Sequence, residues 1–284
     1  MTIPVIQSLV AKDGKYIVLP VWVSGDTKYG NLAHPNPHAN SSVGDTAQQY
    51  PHGTKFVDGD RVFFYGKVYS VYLAGKSNLG MFNLNESASG TGTVTWGATA
   101  GVKGDTQVGI LASGLTDTTP DEDDFAGGWF MPRTNPYSSY RVLKSSTAAG
   151  ARVSGEIDLT LDYGLVESVT ASQASCFLNF SEWTKLSQQW TGSIDYATCP
   201  GVTLVDPIAS TWQWVQSWGP CYVVPYNEEI GASVHNHDCF FWMDGTVLIQ
   251  TRGTGALDQK AGYMLNCSGS ATTSTWLIRL QINR

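Results

Sequence analysis

The residue types best suited to chemistry here stand close together in His235-Asn236-His237-Asp238-Cys239. On a strand, alternation puts His235, His237 and Cys239 on one face. Next-but-one side chains lie about 7 Å apart, so a His-x-His pair can contribute to a metal site. Cys239 lies twice as far from His235, and no further ligand is identifiable to close a near-tetrahedral shell. The segment therefore reads as structural, stacking or hydrogen bonding in an interface, and no metal is assigned. The acidic run Asp121-Glu122-Asp123-Asp124 departs from a calcium loop, because Phe125 and Ala126 take the fifth and sixth places. It reads as a solvated turn. Glu228-Glu229 is the sole adjacent glutamate pair. Glycosidase carboxyls stand about 5–9.5 Å apart across a cleft, a separation that adjacency does not supply. The sequence contains no G-x-S-x-G elbow, no H-E-x-x-H, no phosphate loop and no dinucleotide fingerprint. No catalytic residue, metal ligand or cofactor is assigned, and the chain is expected not to be an enzyme.

Ten Trp and thirteen Tyr raise the question of sugar stacking. Trp212, Trp214 and Trp218 share one parity on a single predicted strand, and such a same-face set suits a core or an oligomer interface better than a sugar platform. The five cysteines (Cys176, Cys199, Cys221, Cys239, Cys267) are odd in number and widely spread. They read as reduced thiols in or near the core, with a Cys199–Cys221 bridge as the alternative.

Strand signals dominate the elements that must hold these residues. Runs rich in β-branched and aromatic residues cover 15–23, 61–69, 92–96 and 140–144, and 156–161 alternates polar and apolar. Towards the end, 211–218 leads through Gly219-Pro220 into 221–224, and 275–282 reads as a last strand. Asp244-Gly245 between two apolar runs is a hairpin signal. A short helix is expected at 181–190. The fold class is therefore all-β, with two antiparallel β-sandwich or barrel-like domains and an extended N-terminal region. The expected divisions are 1–53 for an N-terminal strand and arm, 54–172 for one β-domain and 173–284 for a second.

Residues 29–51 contain almost no apolar content and include His34-Pro35-Asn36-Pro37-His38. They read as a long loop or extended arm, and a loop of that length is uncommon unless it serves a function or is disordered. Tyr29, His34, Pro35, Pro37, His38 and Asn40 are the candidate partner contacts. Charged residues make up 14% of the chain and the net charge is −7. Without a basic patch, nucleic acid is not an expected partner. The first ten residues lack the features of an export leader, and no apolar stretch approaches the ~20 residues that cross a bilayer, so no membrane association is expected.

Five segments together resemble tailed-bacteriophage structural proteins of the capsid decoration (cement, head-auxiliary) type. They are Gly53-Thr54-Lys55-Phe56-Val57-Asp58-Gly59-Asp60-Arg61-Val62-Phe63-Phe64-Tyr65 behind the polar arm, Phe125-Ala126-Gly127-Gly128-Trp129-Phe130, Tyr140-Arg141-Val142-Leu143-Lys144-Ser145-Ser146, Ile157-Asp158-Leu159-Thr160-Leu161, and Trp212-Gln213-Trp214-Val215-Gln216-Ser217-Trp218-Gly219-Pro220. Their order carries the likeness, and they hold no catalytic residues. The resemblance implies a virion protein made in the host cytoplasm and placed on the capsid exterior. It also implies a homo-oligomer, often a trimer, that binds the major capsid protein and stabilises the shell, with residues 29–51 as the clamp. Two further readings stay open: a carbohydrate-binding or tail adhesin module, and a β-rich hydrolase with scattered carboxylates.

Overall fold

The structure is a computed structural model. It describes residues 8–10, 14–23, 35, 37, 44–71, 78–83, 101–115, 120–132, 138–169, 176–188, 198–226, 237–248, 256–268 and 275–282. In chain order the first strands are β1 (Ser8–Val10), β2 (Tyr16–Val18), β3 (Lys55–Asp58), β4 (Arg61–Ser70), β5 (Gly80–Asn83) and β6 (Gln107–Leu111). Then come β7 (Trp129–Pro132), β8 (Tyr140–Ser145), β9 (Glu156–Leu161), β10 (Cys176–Asn179) and β11 (Leu186–Ser187). The last are β12 (Thr198–Thr203), β13 (Trp212–Val223), β14 (Asp238–Trp242), β15 (Val247–Leu248), β16 (Ala256–Ser268) and β17 (Thr275–Gln281). Besides strands, the described residues hold only short 3-10 turns, at Val21–Val23 and Ala112–Gly114 for example. The all-β expectation holds.

The chain forms two compact units. One comprises residues 1–20, 25–84 and 185–284, and the other comprises 21–24 and 85–184. The second unit is thus an insertion into the first, and the expected cuts at 53/54 and 172/173 do not follow this division. Strand β4, from the expected first domain, hydrogen-bonds to β13 from the expected second. Just before the expected cut at 172/173, Leu165 and Val169 are buried in the core of the inserted unit.

The larger unit is one sheet of twelve described strands, in the order β1-β2-β3-β4-β11-β5-β12-β13-β17-β16-β14-β15. An additional β4–β13 pairing closes β4, β11, β5, β12 and β13 into a ring. Register around the ring puts Phe64, Val68, Met81, Leu186, Thr203 and Val215 on one common face, and all are buried. These residues fill a small barrel-like core. The β4–β11 step is parallel, against the antiparallel expectation, and is only two residues long. The Ser70 and Ser187 hydroxyls meet across it at 2.8 Å. The predicted helix at 181–190 is absent where it is described. Lys185 turns into the left-handed region (φ 56) and the chain enters β11.

The opposite face of the same strands carries two further clusters. Ile17, Tyr50, Phe56, Phe63, Tyr65 and Trp214 pack together. Phe82, Cys199, Cys221, Cys239, Phe241, Trp276 and Ile278 belong to the other cluster. The hairpin expected at Asp244-Gly245 joins β14 to β15, with Gly245 at φ +83 donating its N–H to the Trp242 carbonyl at 2.9 Å.

The inserted unit is a five-stranded sheet in the order β10-β7-β8-β9-β6. In β9 the predicted alternation is realised, with Ile157, Leu159 and Leu161 buried between half-buried Asp158 and Thr160. Phe125 and Phe180 stack at 4.4 Å in its core. The acidic turn is only partly solvated. Asp121 and Glu122 are exposed, but Asp124 is buried and its carboxylate accepts the Asp121 N–H at 3.0 Å. The Asp123 carboxylate accepts the Ser145 N–H at 3.1 Å. Two of the four acids therefore satisfy backbone donors.

Candidate binding groove

The geometry that matters begins with one irregularity in β13. Trp212, Trp214 and Gln216 pair with Lys67, Tyr65 and Phe63 of β4, and then the register slips so that Trp218 pairs with Val62. Neighbours in β4 point to opposite faces. The slip therefore turns Trp218 to the face opposite Trp214, and the expected single row of three tryptophans does not exist. A bulge with its ladder interrupted leaves carbonyls to satisfy. The Gln216 side chain, buried at 1% exposure, donates to the Trp218 and Pro220 carbonyls at 3.0 and 2.8 Å. Gly219 follows at φ +91, where an added Cβ would collide with the carbonyl oxygen of Asp60. Only glycine lets β13 run this close to the β3–β4 turn while in that conformation.

The two faces have different fates. On the face opposite the barrel-like core, Trp214 lies against Tyr50 and Tyr65 with ring centroids 5.1 Å from each. Trp212 stacks on Tyr65 at 5.8 Å, and Lys67 sits over its ring. The Tyr65 hydroxyl donates to Asp45 at 2.9 Å and accepts the Gln49 N–H at 3.2 Å. Burial, and secondarily the Asp45 charge, push the Tyr65 phenol far above its ordinary range, against the opposing pull of the Gln49 N–H.

On the other face, which Val62 shares with Phe64, Trp218 lines a groove of about 260 Å³. Val57 and Val62 form its apolar floor, 7% and 4% exposed. Tyr16 and Trp218 are its aromatic walls, and Lys55, Asp60 and Arg279 are its charges. Gly14 and Gly59 lie at its edge, each with open space where a side chain would start. Asp60 and Arg279 approach at 3.6 Å, a long ion pair between partly exposed groups. Lys55 has no ion pair among the described residues. Neither this groove nor its charges were found from the sequence. The signal that carried it was Trp218-Gly219-Pro220, a glycine and proline inside an otherwise regular strand pattern, which is where bulges form.

The other sequence candidates are dispersed. His237 is exposed at the start of β14, whereas the Cys239 thiol is buried in the core and donates weakly to the His237 carbonyl at 3.6 Å. His235, Glu228 and Glu229 lie outside the described residues. Cys176, Cys199, Cys221 and Cys239 are buried and in no disulfide, so Cys199 and Cys221 are not bridged. The Cys267 side chain lies outside the described residues. Burial alone pushes the Cys176 thiol up to about 12. Burial also pushes Cys221 and Cys239 to about 12, offset at Cys221 by Arg61.

Of the arm residues, Pro35 and Pro37 are buried within the chain, which keeps them from acting as exposed contacts in this conformation. Tyr29, His34, His38 and Asn40 lie outside the described residues. The end of the arm is docked: Asp45 and Trp212 exchange backbone hydrogen bonds at 2.7 and 2.9 Å, and Tyr50 is buried. No helix among the described residues is long and apolar enough to cross a membrane. No family model, curated protein or solved structure matches the chain.

Proposed function

We propose that the chain is a bacteriophage virion structural protein, a capsid decoration or cement protein that binds the major capsid protein on the shell exterior and stabilises it as a homo-oligomer, in particular a trimer. The observation that carries this reading is the outer face of the larger unit. Register places Tyr16, Trp218, Tyr222, Tyr263 and Leu277 on one side of the sheet formed by β2, β3, β4, β13, β17 and β16. Tyr222 is 58% exposed and Tyr16 36%. Exposed aromatic groups on a sheet face suit a protein contact. The ordered segments that resemble decoration proteins support the same assignment, and neither nucleic acid nor membrane has a part in it.

Light scattering on a size-exclusion column, with and without shells stripped of the protein, tests this reading. A trimer that elutes with the shells is the expected result, and a folded chain that ignores the shells overturns it. A second reading, a carbohydrate-binding or adhesin module, draws on Trp218 and Tyr16 beside the groove. A glycan array separates it from the first.

A further inference from the structure

We propose that the groove of Trp218 and Arg279 receives a carboxylate side chain, with an apolar neighbour, from an extended acidic segment of a protein partner. The inference rests on the protein-binding reading above and names the chemistry of the contact.

Charge is the first argument. The chain is acidic overall at −7, yet the groove holds two cations and one carboxylate. Asp60 occupies Arg279 only at 3.6 Å, beyond the reach of a charge-assisted hydrogen bond. Lys55 has no ion pair among the described residues. An incoming carboxylate therefore finds guanidinium donors and an ammonium that the described residues leave unsaturated. Both cations stand on strands, β3 and β17, so their stems are held by the sheet.

Size and polarity choose the class of ligand. A volume of about 260 Å³ lies below the roughly 300–1,000 Å³ typical of small-molecule sites. It suits one or two side chains of a larger partner. The floor of Val57 and Val62 offers no hydrogen bond, whereas a sugar acid needs partners for its hydroxyls. An aliphatic or aromatic side chain beside the acid fills that floor and meets the Trp218 ring.

The probe is a capped Ala-Glu-Phe-Glu-Ala peptide, titrated calorimetrically into the intact chain beside its Gln counterpart and glucuronate. The Glu peptide is expected to bind at least about tenfold more tightly than the Gln peptide, as loss of one charged hydrogen bond predicts. Lys55→Gln and Arg279→Gln are each expected to weaken the Glu peptide by about tenfold. Lys55→Arg restores binding, which separates charge from folding, and near-ultraviolet circular dichroism reports whether each variant is intact. Equal binding of the two peptides, no binding of either, or glucuronate binding in preference overturns the inference. Shell binding is measured separately. Shells that retain the folded double Gln variant at full affinity overturn the groove and leave the decoration role standing. Selective Glu-peptide binding without any shell binding does the reverse.

Discussion

Three buried thiols, Cys199, Cys221 and Cys239, share one hydrophobic cluster. Burial disfavours the thiolate, so the native state keeps these protons well above the ordinary thiol value near 9. The unfolded chain loses them from about pH 8.5 upward. The folded pKa is raised, so this contribution to stability is fully present below the unfolded pKa. It is lost as pH rises towards about 12. Stability is expected to fall with alkali by up to about 1.4 kcal/mol per pH unit for each such thiol. Urea midpoints between pH 7.5 and 10.5 measure it. Cys221→Ala is expected to flatten the slope although its midpoint is lower at neutral pH. The burial of these cysteines was legible in their composition and spacing. The dispersal of His237 from Cys239 was not, because β14 begins only at Asp238 and the alternation argument needs a regular strand through both.

At the scale of one element, β13 does two jobs with one sequence. Before the bulge its Trp214 face belongs to an aromatic core, and after it Trp218 belongs to the outer groove. Gln216 holds the change of register. Gln216→Ala is expected to cost about 1–3 kcal/mol, because two partly buried carbonyls lose a donor. Chemical denaturation reads that cost, and Glu-peptide affinity for the groove is expected to fall with it. The strand itself and the Asp244-Gly245 hairpin were readable from pattern and turn chemistry. The bulge was not, since one extra residue leaves composition unchanged while reversing every side chain after it. The misread helix at 181–190 has a related cause. Its apolar spacing was compatible with a helix turn, but Leu186 is recruited by long-range pairing to β4 and β5, and tertiary contacts override local preference.

For the whole molecule, the sequence disclosed the class of fold but not its connectivity. Strand signals specify which segments pair, not how far along the chain their partners lie. Residues 85–184 interrupt the larger unit between β5 and β11, yet Asn83 and Leu186 are direct antiparallel partners. Their backbones are therefore separated by about one interstrand distance, roughly 5 Å. Replacing 85–184 by a short Asn-Gly type turn is expected to leave the larger unit folded, because closing a tight turn costs little entropy. One cooperative denaturation transition, with near-ultraviolet signals from the Trp214 cluster retained, is the expected outcome. A molten chain would show that the inserted unit is needed to fold the rest.

The parallel two-residue seam between β4 and β11 also bears on how the protein is made. Strand β4 leaves the ribosome long before β11 and β13, and residues 85–184 of the inserted unit are synthesised in between. The ring is not complete until Trp218 has been added, about 35 residues after that unit ends, or roughly 2–7 s at ordinary elongation rates. The inserted unit can form its own sheet during that interval and β1 to β4 can pair among themselves, whereas the other edge of β4 must wait for β11 and β13. Birth order therefore leaves the second edge of β4 exposed until the rest of the ring is made, and an unpaired strand edge is what a chaperone must shield.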